Sequence, residues 1–223
     1  MPKGGGPSSV KTNHTERGNS LDMSIFRTTA AALLLGAVTV PANAATESGD
    51  FAVYGWGARD CNAIVSILGG EQAAQAQGQI AEWISGYISA RNRVGDGIYD
   101  LTPVKSQYPL VALARNICTN NSDQLFEAVV DAMMTSFEKL ALSEDSPISQ
   151  LSRNGRSATV NVSTLSKVQQ FLIDKGMLEE GSADGKFGPK TASAIEAWQE
   201  QAGLTSTGLP DVATLFVIAQ QIE

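Results

Sequence analysis

The sequence predicts an all-α protein, in which a small disulfide-bonded helical domain precedes a compact three-helix domain. Apolar residues recur at spacings of three and four along most of the chain, which is the pattern of amphipathic helices. Glycine or asparagine follows several of these stretches, as expected at helix ends. The chain has 223 residues, 43% of them hydrophobic and 17% charged, so it can form one or two folded domains.

Residues 23–44 have the features of a secretory signal peptide. Arg27 supplies a short positive start, an uncharged apolar stretch follows, and Ala42-Asn43-Ala44 is a small-residue cleavage site. The stretch is shorter than the roughly 20 apolar residues that a membrane span needs. Residues 1–22 are polar, and we expect them to be an unstructured extension. The sequence leaves open whether translation starts at Met1 or Met23. Secretion and no membrane span after cleavage are therefore expected.

Charge and histidine content exclude several classes of function. The chain has 16 basic and 23 acidic residues, a formal charge of −7, so nucleic acid is a poor partner. Its one histidine is His14, which signal cleavage would remove. The mature chain would then lack the base of Ser-His-Asp and Cys-His catalysis and the ligand of His-bound zinc. We expect no catalytic residues, no metal and no cofactor.

Residues 45–142 are predicted to form the first, helical domain. Asp60 is a good N-cap, and Gly69-Gly70 a good stop, for a first helix. The further helices are expected at about 73–93, at 110–118, and from a Ser122 cap to Leu140.

Cys61 and Cys118 are expected to form a disulfide. Secretion places both thiols in an oxidising compartment, and an even cysteine count favours pairing. The bond would join the first helix of the domain to the third. Two free buried thiols are the alternative.

Residues 143–163 are predicted to be an inter-domain linker. Turn-forming residues dominate, and helical periodicity is absent. Val160 and Val162 suggest a short extended segment before the next domain.

The C-terminal domain is predicted at residues 164–222, as three helices joined by two loops. Ser163 or Thr164 is the expected cap of its first helix, which ends at Gly176. Pro189 suits the first position of the second helix, and Pro210 is expected to open the third.

A string of motifs runs through this domain in a fixed order and spacing. It consists of Val168-Gln169-x-x-Leu172, Asp184-Gly185-x-Phe187-Gly188-Pro189-x-Thr191, Ala194-x-x-x-Trp198-Gln199, Gly203-Leu204, Thr207-Gly208 and Thr214-Leu215. Residues 164–220 therefore resemble the peptidoglycan-binding domain found in many cell-wall hydrolases. The resemblance implies a three-helix module that binds cell-wall polymer and has no catalysis of its own. Some members of that family serve only as structural spacers.

Two groups of side chains are candidates for roles in this module. Those expected to contact peptidoglycan are Lys186, Phe187, Thr191 and Gln199. Those expected to shape the turn are Asp184, Gly185, Gly188 and Pro189. Glycine adopts positive φ without steric cost, so Gly185 and Gly188 suit a tight turn. Thr191 has the alternative of bonding a backbone carbonyl.

Residues 54–140 resemble, more weakly, the periplasmic acid-stress chaperones of the HdeA type. The shared features are a cysteine near the first helix, the helix around Trp83-Ile84-Ser85-Gly86-Tyr87-Ile88-Ser89, and a second cysteine followed by asparagine and a long helix. This resemblance implies binding of unfolded periplasmic clients after acid exposure.

Three functions follow from these expectations. The first is a secreted, non-catalytic peptidoglycan-binding protein, expected in the periplasm, whose C-terminal module anchors the N-terminal domain at the wall. The second is a wall-tethered acid-stress chaperone, with unfolded clients or envelope proteins as partners. The third is an accessory to, or remnant of, a cell-wall hydrolase. Adjacent carboxylates such as Glu179-Glu180 do not provide the separated pair that glycoside hydrolysis needs.

Overall fold

The computed structural model describes residues 8–10 and 51–222, and the chain divides into two compact units, Met1–Tyr54 and Gly55–Glu223. In the first unit, strand β1 (Ser8–Val10) pairs antiparallel with strand β2 (Phe51–Val53). Strand β1 lies within the segment 1–22, for which the sequence predicted no structure. The rest of that segment and the predicted signal peptide lie outside the described residues.

The second unit is mostly helical, which confirms the predicted fold class. In the described part of it, the helices are α1 (Cys61–Leu68), α2 (Ala73–Val94), α3 (Gln107–Thr119), α4 (Phe126–Phe137), α5 (Val162–Asp174), α6 (Pro189–Gln201) and α7 (Val212–Ala219). Two short 3-10 helices cover Gly55–Ala58 and Glu138–Leu140. The sequence did not predict a β-hairpin in this unit, which is formed by strands β3 (Ile148–Arg153) and β4 (Arg156–Asn161).

The disulfide between Cys61 and Cys118 is present and joins α1 to α3, as predicted. Both cysteines are fully buried, and the two Cα atoms are 4.9 Å apart. The bond fixes two helices that are 57 residues apart in sequence. The core around it is made of aliphatic, aromatic and methionine side chains, including Ile64, Ile84, Leu110, Phe126 and Met134.

Contacts with α1 decide where α4 begins. Asp60 caps α1 as predicted, with its Oδ1 accepting the Ala63 N–H at 2.7 Å. The prediction that Ser122 caps α4 is wrong, since α4 begins at Phe126. The Ser122 carbonyl instead accepts the Asn62 N–H at 3.0 Å. The segment before α4 is thus held extended against the start of α1.

Two helix starts in the C-terminal region also differ from the prediction. Helix α5 begins at Val162, before the predicted cap at Ser163 or Thr164. The Val162 N–H donates to the Pro147 carbonyl at 2.8 Å, so the pairing of the two strands extends to the first residue of the helix. Helix α7 begins at Val212 and not at Pro210, because the Asp211 side chain is its cap and accepts the Thr214 N–H.

The hairpin occupies most of the segment that the sequence predicted to be a linker. Asn154 and Gly155 form its two-residue turn, with φ of 50° and 74°. Positive φ at both positions is what a type I′ turn requires, and Asn-Gly is its preferred sequence. The inward face of the hairpin carries Leu151 and Val160, both buried.

Hydrophobic contacts connect the helices before the hairpin to those after it. Phe137 of α4 meets Phe216 of α7 edge to face, with ring centroids 5.7 Å apart. Helices α3 and α4 both contact α7. The division into domains at 143–163 therefore stays a prediction, and the described residues of the second unit share one hydrophobic core.

Candidate functional site

A buried glutamine on α5 organises the first loop of the C-terminal module. Gln169 Oε1 accepts the Gly185 N–H at 2.7 Å. Its Nε2 donates to the Lys186 carbonyl at 2.9 Å and to Thr191 Oγ1 at 3.1 Å. One side chain thus holds the loop and the start of α6 together.

A second buried glutamine, on α6, has the same role in the second loop. Gln199 Oε1 accepts the N–H groups of Thr207 and Gly208, each at 2.8 Å. Its Nε2 donates to the Leu209 carbonyl at 3.0 Å and to Thr214 Oγ1 at 2.7 Å. The side chain has no exposed surface, so these bonds form inside the protein.

The two loops are therefore copies of one structural unit. Gly185 and Gly208 both have positive φ, 70° and 64°. Thr191 and Thr214 are both the third residue of the helix that follows. Each unit consists of a helix glutamine, a left-handed glycine and a threonine at the next helix start. The sequence motifs contained all these residues, but their spacing alone did not show that glutamine is the link.

This arrangement corrects two of the residues expected to contact ligand. Gln199 is fully buried and Thr191 is 5% exposed, and both side chains bond within the fold. Neither reaches the surface in this conformation, because each satisfies buried groups of the loops. Lys186 is highly exposed and Phe187 is half-buried against the core, so ligand contact by these two stays a prediction.

The residues expected to shape the turn have distinct environments. Asp184 accepts the backbone N–H of Lys186 at 2.9 Å, and this bond holds the pKa of the carboxyl below its usual range. Gly185 needs its positive φ, and a Cβ there would meet the Val162 carbonyl oxygen at 2.9 Å. Gly188 has an extended backbone with φ of −139°, so it does not use the freedom expected of it. Pro189 is the first residue of α6, as predicted.

A shallow groove lies between α6 and the loop that follows α5. Its volume is about 550 Å³, and we call it the α6 groove. Its lining includes Met177, Leu178, Glu179, Lys190, Ser193, Ala197 and Gln201. Because residues four apart share one face of a helix, Ser193 and Ala197 together form a small-residue floor.

The chemistry of the α6 groove is apolar at the floor and charged at one rim. Lys190 Nζ lies 3.0 Å from Glu179 Oε2, and both side chains are exposed. An apolar floor with small side chains accepts a sugar ring or a peptide methyl group, and an exposed lysine attracts a carboxylate. The sequence prediction missed these residues. The spacing of Lys190, Ser193 and Ala197 on one helix face was the signal available.

A second polar cluster connects α2 to α4. The Tyr87 hydroxyl donates to Asp131 Oδ1 at 2.6 Å, and Arg91 pairs with Asp131 and Glu138. Burial raises the pKa of Tyr87 and of Glu127 above their usual ranges. Arg91 and Tyr87 of α2 thus hold Asp131 of α4 and Glu138 just after it, and these bonds stabilise the packing of the two helices.

The part of the chain that the structure describes was also compared with the requirements of a metal site and of a membrane span, and it meets neither. No group of three or more His, Cys, Asp or Glu side chains there is placed to hold a metal ion. Every helix of the described ranges is too short or too polar to cross a membrane.

Comparison with known proteins shows that the C-terminal segment is similar to one family. Residues 161–218 match the family described as a putative peptidoglycan binding domain. No curated protein and no solved structure matches the chain. The resemblance of residues 54–140 to HdeA-type chaperones stays a prediction. The peptidoglycan-binding resemblance is confirmed: the family model for a putative peptidoglycan binding domain matches residues 161–218, which carry both glutamine-linked loops and the whole of α5 and α6.

Proposed function

We propose that this chain is a secreted, non-catalytic protein that binds peptidoglycan through its C-terminal module and thereby holds its N-terminal helical region at the cell wall. The observation that carries the proposal is the family match over residues 161–218. All the residues that line the α6 groove belong to that segment. The groove offers the small-residue floor and the cation described above.

The α6 groove suits a ligand that combines apolar and carboxylate groups. Met177 and Leu178 form one wall, and Ser193 and Ala197 allow a ligand to approach the helix backbone closely. Lys190 is the second residue of α6, where backbone N–H groups lack partners within the helix and favour negative charge. A stem-peptide carboxylate at this rim would replace Glu179 as the partner of Lys190.

A binding role is favoured over hydrolysis by the composition of the groove. Glycoside hydrolysis uses two carboxyl groups placed across the scissile bond. The α6 groove is lined by one carboxylate, Glu179, which is already paired with Lys190. The pattern of residues 23–44 supports secretion of the chain to the compartment where peptidoglycan is found.

A sedimentation experiment tests the proposal. The full chain is mixed with insoluble peptidoglycan and pelleted, and the bound fraction gives Kd. Ala197→Glu places a bulky carboxylate in the groove at an exposed helix position. We expect it to weaken binding by about tenfold or more, equivalent to about 1.4 kcal/mol. Ala112→Glu is the matched control, because it makes the same change at an exposed alanine of α3 that does not line the groove.

The possible results separate the parts of the proposal. If the full chain stays in the supernatant, wall binding is contradicted. If both variants sediment like the wild type, wall binding stands and the α6 groove is not its site. A fall in the turbidity of the peptidoglycan suspension over hours would contradict the non-catalytic role.

A further inference from the structure

A groove lined by lysines lies between α5, the 3-10 helix that follows α4 and the segment after α7, and we call it the α5 groove. Its volume is about 570 Å³, within the roughly 300–1,000 Å³ of small-molecule sites. Lys139, Lys167 and Lys175 line it, against one carboxylate, that of Asp174. The groove is therefore cationic, although the chain as a whole has a formal charge of −7.

The three lysines have no anionic partner among the described residues. Lys167 Nζ donates to the Ala141 carbonyl at 2.6 Å, and Lys175 Nζ lies 5.2 Å from the centroid of the Phe171 ring. No ion pair within residues 51–222 includes any of the three. Burial lowers the pKa of Lys167 by removing part of its hydration, and an anion beside the ammonium would favour its charged form.

The acidic side chains next to these lysines have other partners. Asp174 Oδ1 accepts a hydrogen bond from Gln170 Nε2 at 2.8 Å. Glu138 directly precedes Lys139, but it pairs with Arg91 of α2. The positive charge of the α5 groove is thus left for a ligand to neutralise.

The lysines stand at two ends of the groove. Lys167, Phe171 and Lys175 recur every four residues, so they share one face of α5 and its end. Lys167 and Lys175 are about 12 Å apart along the helix axis, at about 1.5 Å per residue. Lys139 comes just before Ala141, to which Lys167 is bonded, so it belongs to the Lys167 end. The Phe171 ring lies between the two ends.

We propose that the α5 groove binds an elongated ligand that has an oxyanion group at each end and an apolar segment between them. Carboxylates and phosphates share this chemistry, and a lysine ammonium pairs with either as a point charge. Phe171 and Ile222 provide the apolar lining for the middle of the ligand. The α5 groove shares no lining residue with the α6 groove, so the proposal does not depend on wall binding.

A series of small dianions tests the spacing of the charges. Octanedioate, a linear dicarboxylate of comparable length, is titrated into the isotope-labelled full chain at constant ionic strength, and NMR shifts give Kd. We expect tighter binding than for octanoate, which has one carboxylate, and than for butanedioate, which is too short. Equal affinity for all three overturns the proposal. The matching linear bisphosphate forms a second arm, and the tighter of the two long dianions identifies the preferred anion.

Two exposed lysines test the two ends separately. Lys139→Gln and Lys175→Gln should each weaken octanedioate binding about 1.5- to 5-fold, the effect of one exposed ion pair. Arg156→Gln is the matched control, because it removes the same charge from an exposed position that does not line the groove. Equal weakening by all three variants would mean that only net charge matters, which contradicts a site at the α5 groove.

Asp174→Asn gives a result that misfolding cannot imitate. Loss of the one lining carboxylate should tighten octanedioate binding about 1.5- to 5-fold, and unchanged or weaker binding contradicts the proposal. Glu223 follows Ile222 in the sequence, so Glu223→Gln is the last variant. Binding that appears only with Glu223→Gln would mean that the chain's own carboxylate takes the ligand's place, which overturns the assignment to an external ligand.

Discussion

The structural role of Gln199 leads to a quantitative prediction for Gln199→Leu. Leucine has a similar volume and no hydrogen-bonding groups. The substitution leaves the Gly208 N–H buried without an acceptor. The Thr207 N–H keeps the Thr205 carbonyl at 2.9 Å, and the Leu209 carbonyl keeps the Asp211 N–H at 2.8 Å. A buried donor left unpaired costs about 1–3 kcal/mol, so the orphaned Gly208 N–H lowers the free energy of unfolding by about 1–3 kcal/mol.

That loss is large against the 5–15 kcal/mol that typically stabilises a folded domain. Guanidinium unfolding, followed by circular dichroism with the disulfide intact, measures it from the midpoint and slope. Gln170→Leu is the matched control on α5. Gln170 is exposed and bonds Asp174 one helical turn away, an interaction worth about 0.2–0.5 kcal/mol.

The same variant distinguishes a structural glutamine from a ligand contact. A ligand contact predicts weaker peptidoglycan binding with unchanged stability. The structural role predicts a lower unfolding midpoint before any ligand is added. A loss below about 0.5 kcal/mol, comparable with the ordinary effect of a surface substitution, would refute the reasoning.

Three further predictions test other parts of the fold. Gly208→Ala should lower the free energy of unfolding by at least about 1–2 kcal/mol, because φ is +64° and the new Cβ would lie 2.6 Å from Arg153 Nε; unchanged denaturant unfolding would contradict it. Glu127→Gln should stabilise the protein near neutral pH, because burial raises the folded-state pKa of this carboxyl and ionisation therefore costs stability as pH rises through that pKa. Unfolding at neutral pH and at about pH 4 checks the sign, since the gain should vanish at the lower pH. Replacing Cys61 and Cys118 by alanine should cost about 4 kcal/mol for a loop of this length, and a thermal melt that does not shift would argue against the disulfide.

The helices of this protein were largely predictable from the sequence, because their signals are local. Asp60, Gly69 and Pro189 mark helix ends through their own backbone and side-chain preferences. The predicted pairing of Cys61 with Cys118 needed only the cysteine count and the expected compartment. The family motif was equally readable, since it depends on residue identities at fixed spacing.

The β-hairpin shows where local signals were misread. Asn154-Gly155 is a strong hairpin turn, but residues 143–163 are rich in turn-forming residues and lack helical periodicity, which predicted a linker. A hairpin buries only its other face, here through Leu151 and Val160, so its hydrophobic pattern is short and weak.

What the sequence determined by itself is the helical fold class, the helix ends with strong caps, the disulfide partners and the family of the C-terminal segment. Only the tertiary structure decided which polar side chains of the motifs face inward. Gln199 and Thr191 have the composition of ligand contacts, yet both are buried because the loops around them have backbone groups that require partners. Burial depends on residues distant in the chain, and a local pattern of residue types contains no information about them.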